Sequence, residues 1–72
     1  MRTIDDIKLG DNIRLAFVMG RDGLDGAMQF ARQTYKIYRA QRKVRPLTYG
    51  KEYRQELIVS CVVFREFIRR NK

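Results

Sequence analysis

Apolar positions fall into three groups along the chain, and their spacing differs in each. From Ile4 to Met19 they come at short and uneven intervals. Ile13, Leu15, Phe17 and Met19 alternate as a strand would, whereas Ala16 and Met19 are good helix residues. Thr3-Ile4-Asp5-Asp6 has the form of a helix start. Thr3 is placed to cap, and the two aspartates fall in the first turn, where the helix dipole favours negative charge. Gly10-Asp11-Asn12 interrupts the pattern. The expectation is a short N-terminal helical element over 4–20, with a β-hairpin turning at residues 8–13 as the alternative.

Gly20-Arg21-Asp22-Gly23-Leu24-Asp25-Gly26 reads as a connector, with Asp22 capping the next helix. It lacks the Gly-Lys-Ser/Thr ending of a nucleotide-binding loop, and its aspartates would repel phosphate. The second group then predicts a helix over 24–44. Ala27, Phe30, Thr34, Ile37 and Tyr38 form its apolar face, and Pro46 ends it.

The third group predicts a helix over 50–70, with Thr48 as its cap. Tyr53, Leu57, Cys61, Phe64 and Ile68 share one face. Val59, Val62 and Val63 lie off that face, with Ile58 on its shoulder, so the middle of the helix is apolar nearly all round. The β-branched run would also suit a strand, but its uninterrupted length and polar flanks favour helix. The fold class expected is all-α: one domain over 1–72, with two long antiparallel helices and a shorter N-terminal helical element. The hairpin alternative makes it α+β.

Charge changes this picture most in the second group. The chain carries a net charge of +8. Residues 1–25 hold four basic and five acidic side chains, residues 26–51 seven basic and none acidic, and residues 52–72 five basic and three acidic. Arg32, Lys36, Arg39 and Lys43 recur at helical spacing, in a stripe roughly 60° wide. Arg42 and Arg45 lie near it, and Tyr35 sits between the stripe and the apolar face. A helix face that only solvates normally mixes acids with bases. Here Arg32–Lys36 and Arg39–Lys43 are like-charged pairs at i, i+4, each costing a few tenths of a kcal/mol. Keeping such pairs points to an anionic partner.

Histidine is absent and Cys61 is the only cysteine, which removes the commonest general base, the usual zinc ligands and any intrachain disulfide. Glu52 and Glu56 share a charged, solvated face, and Cys61 sits among aliphatic residues as packing. The chain therefore reads as a non-enzymatic protein with no cofactor and no metal. Its longest apolar run, 57–64, is far below the roughly 20 residues of a membrane span. No signal-peptide pattern opens it, so the expected location is cytoplasmic.

Two functions fit. The first is nucleic-acid binding, or a nucleoprotein accessory role, with Arg32, Lys36, Arg39, Arg42, Lys43 and Arg45 on phosphates and Tyr35 as a stacking side chain. Arg54, Arg65 and Arg69 would extend that surface. The second is a small regulator or inhibitor that docks its basic helix on an acidic protein surface. In either case Val59, Val62, Val63 and Phe67 offer an apolar surface for a homodimer through the last helix.

Overall fold

A computed structural model describes residues 3–43 and 50–72, apart from the side chain of Glu52. Two helices make up the described chain: α1, Ile4–Arg42, and α2, Gly50–Arg70. Among the described residues there is no strand, so the hairpin over residues 8–13 does not form. Nor is there a separate short N-terminal helix, because α1 runs through Gly10-Asp11-Asn12 without a break. Asp11 belongs to the buried face with Ile7, Leu15 and Val18. In a helix these residues recur on one side, and their burial outweighs the helix-weakening effect of a single glycine.

Thr3 starts α1 as its sequence suggests. The Asp6 amide donates to Thr3 Oγ1 at 3.1 Å, and the Thr3 amide donates back to Asp6 Oδ2 at 3.4 Å. This is a capping box that satisfies two otherwise unpaired helix N–H groups.

The expected connector over residues 20–26 narrows to one residue. Gly23, at φ 76° and ψ −175°, is the only non-helical backbone inside α1. That conformation is open essentially to glycine alone. Asp22 does not cap, since its Oδ2 accepts from the Arg21 guanidinium at 2.8 and 3.0 Å. The turn at Gly23 also carries Asp22 over Gly26, where a Cβ would overlap that of Asp22. Glycine is required at both positions.

A straight α1 of 39 residues would be about 58 Å long, but the longest extent of the molecule is 38 Å. The helix is therefore folded at Gly23 into a first arm, 4–22, and a second arm, 24–42. Arg14 on the first arm reaches Tyr38 on the second. The second arm runs antiparallel to α2: Gln41 meets Tyr53 near one end, while Met28 and Arg32 border a cleft with Asn71 and Lys72 at the other.

Each of the three segments contributes to the core. Leu15 of the first arm, Ala31 of the second and Val63 and Phe64 of α2 form the buried cluster, with Phe30, Tyr35, Tyr38, Phe67 and Ile68 packed around it. Phe64 is fully buried and meets Phe30 and Tyr38 edge to face, with centroids 5.9 and 6.1 Å away. Ala27 and Ala31, both fully buried, allow close approach of the second arm. On α2 the expected face holds, with Leu57, Cys61 and Phe64 buried and Tyr53 and Ile68 partly so. On the second arm Ile37 departs from its assigned apolar face and is 55% exposed. Pro46 and Thr48, assigned roles in ending α1 and starting α2, lie outside the described residues.

Candidate anionic-partner interface

The basic stripe lies on the second arm of α1, on the side turned away from Ala27, Ala31 and Thr34. Arg32, Lys36, Arg39, Arg42 and Lys43 are all exposed. The described ion pairs are Arg14–Asp11, Arg21–Asp22 and Arg69–Glu66. None of these five residues pairs with an acid among the described residues. Their charge is left for solvent or a partner, at the cost of like charges spaced i, i+4. Arg39 and Arg42 fall in the last turn of α1, where the helix dipole offsets part of that cost.

Tyr35 is half-buried and packs against the core cluster, so its ring is part of the fold. Arg45 lies outside the described residues. On α2, Arg54, Arg65 and Arg69 are exposed and share a side of the helix, and Arg69 Nη1 donates to Glu66 Oε1 at 3.5 Å. Ile58 and Val62, 39% and 41% exposed, lie between them. The four residues assigned to a dimer surface separate. Val59 and Val63 are buried, Phe67 is half-buried against the core, and Val62 is exposed.

A second polar constellation has no counterpart in the sequence reading. Between the first arm and α2 lies a cleft of about 360 Å³, bordered by Asp11, Arg14, Tyr38, Tyr53, Glu56 and Ser60. Arg14 joins all three segments. Its Nη2 donates to Asp11 Oδ1 at 2.5 Å, its Nη1 donates to the Tyr38 hydroxyl at 3.3 Å, and its guanidinium lies over the Phe64 ring, 5.7 Å from the centroid. Burial pulls the Arg14 pKa down, but the hydrogen bonds to Tyr38 and Asp11 outweigh it and hold the group above its ordinary value. Asp11 Oδ2 is buried with no hydrogen-bond partner among the described residues. The Tyr53 hydroxyl donates to Gln41 Oε1 at 3.0 Å, tying α2 to the second arm. The i, i+3 spacing of Asp11 and Arg14 was the available signal. It is hidden when Gly10-Asp11-Asn12 is read as a break.

In comparisons with known proteins, the chain matches no family model, no curated protein and no solved structure. Among the described residues, no helix is long and apolar enough to cross a membrane.

Proposed function

We propose that this chain is a small, non-enzymatic binding protein that engages nucleic acid through the second arm of α1. One observation carries the reading: Arg32, Lys36, Arg39, Arg42 and Lys43 are exposed together on that arm, without an acidic partner among the described residues. A row of unneutralised cations along a rigid helix suits a phosphate backbone, where each contact releases condensed counterions. Phosphate contacts of this kind carry no base specificity, and Tyr35, half-buried against the core cluster, has only part of its ring open to a base. Arg54, Arg65 and Arg69 add positive charge on α2.

Titration of labelled duplex DNA and single-stranded RNA at low salt tests the reading. The triple charge reversal Arg32→Glu, Lys36→Glu, Arg39→Glu is expected to abolish binding and leave the helical circular dichroism unchanged, since all three side chains are exposed. No binding of either nucleic acid by the unaltered chain would end the proposal. A second reading, docking on an acidic protein surface, draws on Ile58 and Val62 set between Arg54 and Arg65. Apolar contacts ringed by cations fit a partner that offers the complementary pattern. A protein partner that stays bound after nuclease treatment, and is lost in the triple charge reversal and weakened by Val62→Glu, favours this second reading.

A further inference from the structure

The first arm of α1 has two apolar faces, and the fold uses one. Ile7, Leu15 and Val18 are buried against the other segments. Leu9, Ile13 and Phe17 follow at i, i+4 and i+8 on the opposite side, a stripe about 80° wide, and are 60%, 59% and 64% exposed. Ala16 and Gly20, also exposed, lie beside them and leave room for a second helix to come close. An exposed Ile, Leu or Phe on its own is ordinary, but three in register along a helix form a docking face.

We propose that a second copy of this chain covers that face, Leu9, Ile13 and Phe17 of the two copies packing antiparallel about a twofold axis at Ile13. Two features select this occupant. The stripe is self-complementary: with the axis at Ile13, Leu9 of each copy meets Phe17 of the other. The same symmetry sets Asp6, at one end of the stripe, across from Arg21 near the other end and on the same flank, where the Arg21 guanidinium already pairs with Asp22 of its own copy and lies over the Phe17 ring. A twofold interface needs this match of a patch to itself.

Net charge is the second feature. Residues 1–25 carry one more acid than base, and the rest of the chain holds the whole positive excess. Two copies therefore repel through their other faces and least through the first arm. A nucleic acid, by contrast, would meet Asp5 and Asp6 beside this stripe. One helix face is small beside the about 800 Å² per partner of a standard interface, so association falls in the weak range, with a Kd of roughly 10–100 µM. The pairing leaves the basic stripe of the second arm uncovered in each copy.

Sedimentation equilibrium without nucleic acid, from about 10 µM to about 1 mM protein to bracket that Kd, tests the proposal independently of any binding activity. The expected mass rises from monomer toward dimer. Ile13→Glu, which sets two carboxylates together on the axis, is expected to weaken association at least about tenfold, while Val62→Glu on α2 leaves it unchanged. Oxidation of an Ile13→Cys variant traps a disulfide dimer, because a residue on a twofold axis adjoins its own copy. A Lys8→Cys variant, on another side of the arm, does not, and Cys61 is buried. A monomer at the highest concentration overturns the proposal, as does dimerisation that survives Ile13→Glu, dimerisation lost in Val62→Glu, or equal cross-linking by the two cysteine variants.

Discussion

Asp11 and Arg14 are unequal partners. The Asp11 side chain is 4% exposed and Arg14 is 47% exposed, so the carboxylate bears most of the desolvation. Removing the cation leaves a buried charge with neither oxygen held by a side chain. Removing the acid frees Arg14 to extend into water and eliminates the unpartnered Oδ2. Arg14→Ala is therefore expected to cost about 1–3 kcal/mol. Asp11→Leu, on a face shared with Ile7 and Leu15, is expected to be neutral or stabilising. Denaturant unfolding of both variants checks the asymmetry, and equal losses would contradict it. The glycines divide in the same way. Gly26→Ala drives a Cβ into that of Asp22 and should destabilise by about 1–3 kcal/mol. Gly20 has open space around its missing Cβ, and Gly20→Ala should stabilise the arm by about 0.5–1 kcal/mol.

The helices depend on where the chain is allowed to turn. Without the break at Gly23, α1 would be a rod with its two buried faces far apart. With it, Leu15 and Ala31 meet Val63 and Phe64 in one core. Gly23→Ala keeps the same contacts but forces a side chain into a glycine-only backbone conformation, at a cost of about 1–3 kcal/mol. The melting temperature should fall, with little change in helix content. Phe64 is where the second arm, α2 and the Arg14 guanidinium converge. Phe64→Ala is expected to cost about 3–5 kcal/mol, a large share of the stability of a chain this small. Ile37→Gln, at a residue 55% exposed, should stay within about 0.5 kcal/mol of the parent. Thermal unfolding of the pair separates a core position on α2 from an outer position on the second arm.

For the whole molecule, the central quantity is the uneven spread of charge. The positive excess is concentrated on the second arm and α2, and the first arm is close to neutral. If four cations of the stripe contact phosphates together, the slope of log affinity against log salt is about −3.6 on duplex DNA. Each of Arg32, Lys36 and Arg39 changed singly to Ala should reduce its magnitude by roughly 0.9. A slope near zero would mean that the stripe is not the contact surface.

Much of this was legible in the residues alone. Helical periodicity, the Thr3 cap, the buried face of α2 and the exposed basic stripe follow from side-chain spacing and charge, which are local properties. Whether a glycine breaks a helix is not local. Gly10 lies inside α1 and Gly23 turns it, although both are flanked by aspartate. The outcome depends on which arrangement buries Ile7, Leu15 and Val18 against segments distant in the chain. For the same reason Val59 and Val63 became core while Leu9, Ile13 and Phe17 did not. A hydrophobic residue carries no mark of which face the rest of the chain will cover, and three packed segments leave one side of each uncovered. The sequence specified the helices and their charges. The packing of α1 on itself and on α2 chose the faces.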